Sequence, residues 1–156
     1  MSVKDVSRRN YQRQLDNART KIRDVKIPKE GWLAASRKAL GMSGAELARK
    51  LNLSRSNVKQ AENNELTGSA TIATLNSLAE AMGCKLVYAI VPPDGQTIEQ
   101  LIFTQAMKKA RAIAEKTHEH MELEGQALFK ATLDYQIEQL AKRIQLEMPT
   151  DFWSNP

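Results

Sequence analysis

Two serines eleven positions apart each open a helix, and that spacing constrains the fold more than any other feature of the chain. In "GMSGAELARKLNLSRSNVKQAEN", Ser43 precedes an Ala/Leu-rich run and Glu46 follows three residues later. This is a capping box, in which hydroxyl and carboxylate satisfy orphan backbone N–H groups reciprocally. Ser54 is a second N-cap ahead of "RSNVKQAENN", and only the short turn "LNLS" lies between. A chain punctuated this way must turn and pack two short helices on each other. Leu47, Leu51 and Val58 fill the angle, and small Ala48 lets the helices approach.

The flanking segments complete a compact all-α unit. "WLAASRKAL" reads as a helix with Trp32, Leu33 and Leu40 inward, closed by Gly41. "TIATLNSLAEAMG" places Ile72, Leu75, Leu78, Ala79 and Met82 at helical spacing and ends at Gly83. The next run, "KLVYAIVP", is rich in strand formers and stops at the turn composition "PPDG". No second convincing strand exists to pair with it. Its expected partner is the same strand of another copy across a two-fold axis, giving a homodimer; the alternative is an extended segment buried under the C-terminal helices.

Before this unit, Tyr11, Leu15, Ala18, Ile22 and Val25 form one narrow stripe on a basic helix, expected to pack on the following domain or on a second copy. Pro28 and Gly31 end it. After the unit, Thr97 to Met148 returns to helical periodicity as two helices, interrupted by "KTHEHMELEGQAL". The tail "PTDFWSNP" is expected to be loosely held, with Phe152 and Trp153 available to dock on a surface. The expected domains are 1–29, a basic helix and linker; 30–92, the compact helical unit with its strand; and 93–156, the C-terminal helical region.

Charge divides along the same lines. Residues 1–40 carry eleven Lys/Arg against four Asp/Glu, residues 41–92 five against four, and residues 93–156 seven against ten, so the basic surface is N-terminal. Such an excess favours a polyanion, although a solvated lysine-rich face carries the same signature. The single Cys84 excludes an internal disulfide and, in apolar surroundings, reads as a buried structural thiol. With neither an apolar leader nor a membrane span legible, the expected location is cytoplasmic.

The chemistry concentrates on the second of the paired helices. Arg55, Ser56, Asn57, Lys59 and Gln60 are spared from the core, and all are hydrogen-bonding types. In a DNA major groove the N-terminal turn of such a helix meets base edges. Arg55 suits guanine O6/N7 and Gln60 adenine N6/N7, with Ser56 assisting. Ser54, Asn57 and Lys59 suit phosphates, and Ser43 caps the preceding helix at the same surface. Double-stranded DNA is therefore the expected partner. His118 and His120, two residues apart on a helix, point about 200° apart and cannot share a metal. No metal or cofactor is expected. Without a paired acid/base set, phosphate loop or nucleophile elbow, the chain is not expected to be an enzyme.

Residues 32–83 resemble the phage-repressor or Xre-type helix-turn-helix domain, with Glu62 matching the glutamate common at the end of the recognition helix and Gly44 standing where that family often has glutamine. More widely, "QLDNA", "PKEGWLAASRKALGMSG", "CKLVYAIVP" and "MELEGQ" resemble the bacterial mobile mystery protein A family, whose members are usually encoded beside a Fic-domain protein. That resemblance implies a toxin-antitoxin arrangement. Proteins that restrain Fic adenylyltransferases carry Ser/Thr-x-x-x-Glu-Gly/Asn, whose glutamate pairs with an arginine of the Fic ATP site. "HMELEG" places Glu124 and Gly125 at the matching positions, and His120 where Ser or Thr is expected. A carboxylate can make a charge-assisted pair with a guanidinium otherwise meant for phosphate, and glycine permits close approach. Taken without the resemblance, Glu124 is a surface glutamate and Gly125 a helix boundary. Met121, Leu123 and Leu128 suit either that interface or the internal core.

The expected fold is mainly α: an Xre-type helix-turn-helix domain with a basic N-terminal helix, one short dimerising β-strand and C-terminal helices. The expected function is a DNA-binding antitoxin that neutralises a Fic-domain toxin and represses its own operon at an inverted-repeat operator. The alternative is a plain repressor whose C-terminal helices serve only oligomerisation.

Overall fold

The structure, a computed structural model, describes residues 2–118 and 126–156. The described residues form seven helices: α1 (Val3–Ile22), α2 (Gly31–Ala39), α3 (Gly44–Lys50), α4 (Arg55–Thr67), α5 (Ile72–Ala81), α6 (Ile98–His118) and α7 (Gln126–Glu147). They belong to two compact units, one spanning Asp24–Ala89 and the other combining Met1–Arg23 with Ile90–Pro156.

In the Asp24–Ala89 unit, side-chain caps set where the helices begin. Ser43 and Glu46 form the capping box at α3, with Ser43 N–H donating to Glu46 Oε2 at 2.6 Å and Glu46 N–H to Ser43 Oγ at 3.1 Å. Ser54 Oγ accepts the Asn57 N–H at 3.2 Å at α4, and Thr71 Oγ1 accepts the Thr74 N–H at 3.1 Å at α5. The turn between α3 and α4 rests on Asn52, whose φ of 53° is a left-handed value that asparagine tolerates better than most residues. That turn lets Leu53 N–H close back onto Ala48 O at 2.9 Å. Leu33, Leu47, Ala48, Val58, Ala61, Leu78 and Met82 form the core, with Leu51 and Leu75 packed on it.

Two polar arrangements complete this unit. Arg37 Nε meets Glu62 Oε1 at 2.7 Å with both side chains largely buried, and Arg37 Nη1 donates to Met42 O at 3.0 Å. Glu65 caps α2 by accepting from Trp32 N–H at 2.7 Å and Leu33 N–H at 2.9 Å. This cap needs Gly31. Its φ is +82°, and a Cβ there would lie 2.7 Å from Glu65 Oε2.

Several expectations about inward residues are corrected here. Trp32, Leu40 and Ile72 are exposed. On α2 the inward stripe is Leu33, Ala34 and Arg37, because the ion pair to Glu62 occupies the place an apolar pattern assigns to a larger hydrophobe. Cys84 is exposed, lying beyond the last turn of α5. No strand forms among the described residues, so the short β-strand expected at "KLVYAIVP" is absent within the chain. Its physical cause is the missing mate: strand structure requires a paired ladder, and the described residues supply none. Nor is the segment buried, since Val87 and Ile90 are about four-fifths exposed, at 79% and 81%.

In the other unit, α6 and α7 pack against each other in opposite directions. Ile102, Ala106 and Ala110 of α6 meet Ile137, Ala141 and Ile144 of α7, and Phe152 closes the core. Three fully buried alanines let the helix axes approach closely. The tail is not loosely held. Phe152 is 2% exposed, Gln105 Nε2 donates to Phe152 O at 2.8 Å, and Lys109 Nζ pairs with Asp151 Oδ2 at 2.9 Å. Trp153 remains exposed, edge-on to Phe152 at 4.9 Å between ring centroids.

Helix α1 packs on α6 within this unit, a neighbour distant in sequence. Asp16 Oδ1 accepts the Ile98 N–H at 3.1 Å, so a carboxylate of α1 caps α6. The side of α1 turned to its unit includes Asp5, Arg8, Gln12, Leu15, Asp16 and Arg19, while Tyr11 stays exposed. The narrow apolar stripe is thus only partly the packed face.

Candidate nucleic-acid interface

Helix α4 owes its orientation to what it buries. Val58, Ala61 and Glu62 face inward, the first two into the core and the third onto Arg37. With 3.6 residues per turn, fixing these three positions turns the first two turns of the opposite side outward. Ser54, Arg55, Ser56, Asn57, Lys59 and Gln60 are all exposed, as is Ser43 at the start of α3.

These side chains divide along the helix. Arg55 and Lys59 border a cleft shared with Gly44 and with the Arg37–Glu62 pair, whose charges offset each other, and Gly44 sits close to the Arg55 stem. A Cβ at position 44 would meet Arg55 Cγ at an ordinary 3.8 Å. Ser56, Asn57 and Gln60 border a second cleft on the α5 side with Leu53, Asn64 and Thr74. One flank of the helix is therefore cationic, and the other presents hydroxyls and amides.

Local hydrogen bonds prearrange both flanks. Ser54 Oγ holds the Asn57 backbone, lies 2.9 Å from Ser56 Oγ, and also contacts Asn57 Oδ1. Its hydroxyl is thus committed to capping, while the Asn57 amide nitrogen remains a donor. Gln60 Nε2 donates to Asn64 Oδ1 at 2.8 Å, which leaves its carbonyl and a further N–H for another partner.

The electrostatics follow from where the carboxylates went. Glu62 is spent on Arg37 and Glu65 on the α2 N-terminus, so neither acid of α4 faces its exposed first turns. Glu46, the nearest acid of α3, is held in the capping box, and hydrogen bonds from the Ser43 backbone and then its side chain lower its pKa. Arg55 and Lys59 have no ion pair among the described residues. A surface of this composition can donate hydrogen bonds to base edges and attract phosphates without internal neutralisation.

Composition and capping signals bring Ser43, Ser54, Arg55, Ser56, Asn57, Lys59 and Gln60 into consideration from sequence, and the structure gathers them at one end of α4 with the start of α3. Arg37, Glu65 and Asn52 do not stand out in the sequence as parts of this arrangement. The signals available were a charged residue on the inward spacing of "WLAASRKAL", a second glutamate one turn beyond Glu62, and an asparagine at the turn's left-handed position. His120, Glu124 and Gly125 lie outside the described residues. Among the described residues, no cluster of three or more His, Cys, Asp or Glu side chains could hold a metal, and no helix is long and apolar enough to cross a membrane.

Residues 33–88 match a helix-turn-helix family model. This span takes in most of α2 and all of α3 to α5, so the chain carries a helix-turn-helix domain, in which α3 and α4 are the paired helices and α4 the second of the two. No curated protein and no solved structure matches the chain.

Proposed function

We propose that this chain, with a helix-turn-helix domain at residues 33–88, is a transcription regulator that binds an inverted-repeat operator as a homodimer. The observation that carries the reading is the outward, carboxylate-free start of α4, locked by the Arg37–Glu62 pair and the Ser54 cap. Arg55 reads guanine and Gln60 reads adenine, with Ser56 assisting; Ser43, Ser54, Asn57 and Lys59 set register on phosphates, Ser43 and Ser54 through the helix starts they cap. For the dimer, support comes from residues 85–91. They form neither helix nor strand, expose Val87, Tyr88 and Ile90, and make no backbone hydrogen bond among the described residues. Pairing with the same segment of a second copy satisfies those groups and supplies the two-fold axis that an inverted repeat requires. In a gel-shift assay on the promoter of its own gene, Arg55→Ala with Gln60→Ala abolishes preference for the operator over scrambled DNA and leaves helicity intact. Retained preference would remove the assignment of α4.

The proposal extends to an antitoxin role against a Fic-domain adenylyltransferase. Its support is the resemblance to mobile mystery protein A and the placement of His120, Glu124 and Gly125 in the inhibitory pattern. In this role Glu124 pairs with an arginine of the Fic ATP site and obstructs the γ-phosphate, so autoregulation and toxin restraint reside in different parts of one chain. Glu124→Gly, coexpressed with a Fic protein encoded next to the gene, releases adenylylation. Unchanged restraint would rule Glu124 out, and the absence of a neighbouring Fic gene would leave a plain repressor.

A further inference from the structure

We infer that the outer face of α1 is a second DNA-binding surface, one that grips phosphates without reading sequence. The inference rests on the proposed DNA-binding role and assigns it an additional set of residues. The exposed side of α1 carries Arg9, Asn10, Arg13, Gln14, Asn17 and Lys21. None of these is acidic. Both carboxylates of the helix are engaged elsewhere: Asp5 in the capping box with Ser2 and on Arg8, and Asp16 on the Ile98 N–H that opens α6. Arg9, Arg13 and Lys21 have no ion pair among the described residues.

Helix α4 shows the same division, with Glu62 and Glu65 consumed internally and cations and amides left outward. A merely solvated helix face commonly intersperses both signs, because glutamate–lysine pairs at helical spacing stabilise it. Here the acids present are all diverted to capping and pairing, which leaves a strip of uniform sign. Arg9 and Lys21 stand twelve residues apart, on the order of 18 Å along the helix axis. That reach spans several successive phosphates of a duplex.

The chemistry favours DNA over other anionic partners. A membrane-surface helix needs a broad apolar face opposite its cations. The exposed large hydrophobics of α1 are Val3 and Val6 near its start, Tyr11, and Ile22 at its end, too few and too dispersed along the helix to form such a face. The amides Asn10, Gln14 and Asn17 complement phosphate oxygens as hydrogen-bond donors. Because phosphates line every duplex whatever its sequence, a cationic face adds affinity without selecting a site.

The test uses the full chain and two duplexes, the promoter of its own gene and a scrambled sequence of equal length, each titrated across salt concentrations. Replacing Arg9, Arg13 and Lys21 together by Gln is expected to weaken binding to both duplexes about equally, by at least about tenfold near 0.1 M salt. The slope of log affinity against log salt should become shallower by about 2 to 3. A second variant, Asn10→Asp with Asn17→Asp, retains every cation and should act in the same direction. Circular dichroism monitors folding in both.

An unchanged salt slope in both variants would overturn the inference. It would equally fall if the slope held while the triple variant lost binding to phosphatidylserine vesicles, or changed its mass in sedimentation; those outcomes assign the face to lipid or to self-association. Failure of the α4 reading is distinguishable. Loss of operator preference in the Arg55→Ala and Gln60→Ala variant tests α4, whereas the shared loss on both duplexes tests α1.

Discussion

In the helix-turn-helix unit, helices of 7 to 13 residues meet over leucine, valine and methionine, whereas α6 and α7, of 21 and 22 residues, meet along buried alanines. Short helices have a high proportion of unsatisfied backbone groups at their ends. The first unit accordingly uses Ser43, Ser54, Thr71 and Glu65 as caps and buries the Arg37–Glu62 pair between α2 and α4. Long helices have few ends relative to length, and the second unit relies on a repeated small-residue seam closed by Phe152. The difference teaches that the face proposed to meet DNA belongs to the unit whose short helices each begin at a side-chain cap. Each contact there constrains where an outward side chain points.

The largest predicted effect probes the alanine seam. Phe152→Ala should destabilise its own unit by about 4 kcal/mol, because it empties the largest fully buried side chain of the core. Denaturant unfolding with hydrogen exchange would show protection lost in α6 and α7; equal loss in α2 to α5 would break the contrast between the two units.

Next in size is the polar lock. Arg37→Ala leaves Glu62 buried without its partner and should cost about 3 kcal/mol, whereas Arg37→Met combined with Glu62→Leu should recover much of that loss. A single variant with near-wild-type denaturant stability would show that the pair does not hold α2 to α4.

Gly31→Ala tests the cap of α2. Forcing a side chain at φ +82° and against Glu65 Oε2 should cost about 1–2 kcal/mol in thermal unfolding. Adding Glu65→Ala removes the collision but also the cap, so the double variant should remain less stable than the native chain.

The smallest effect is a pH dependence that separates the two units. Hydrogen bonding from Ser43 lowers the Glu46 pKa in one unit, and hydrogen bonding from Lys109 lowers that of Asp151 in the other. A folded-state pKa below the unfolded value means that the contribution is present above the carboxylate range. It is lost as pH falls from about 5 through the lower folded value. Glu46→Gln should flatten the acid dependence of α3 protection alone, and Asp151→Asn that of the α6–tail contact; a single slope affected by both variants would argue against separate units.

Much of the fold was legible because capping and periodicity are local. Ser43, Glu46 and Ser54 state their helix starts within four residues, and Leu47, Ala48 and Val58 follow from spacing. Other features depended on residues far apart in the chain. Arg37 looks like a surface cation until Glu62 is brought beside it, and Phe152 looks like a loose aromatic until α6 and α7 enclose it. The segment 85–91 has strand chemistry but no mate among the described residues, so propensity alone overstates its structure. Seven candidate residues, Ser43, Ser54, Arg55, Ser56, Asn57, Lys59 and Gln60, were accessible to reasoning because they are what remains on two capped helices after the core is subtracted.

The sequence by itself determined that a helix-turn-helix forms at the centre of this chain and which polar side chains its second helix leaves free. These follow from cap chemistry and a 3.6-residue period, both readable over a few neighbouring positions. Only the tertiary structure decided where the carboxylates go. Glu62 on Arg37, Glu65 on α2 and Asp16 on α6 are pairings across 25, 32 to 33 and 82 residues, set by packing rather than by local order. By turning acids inward, those pairings give α1 and α4 their outward cationic character.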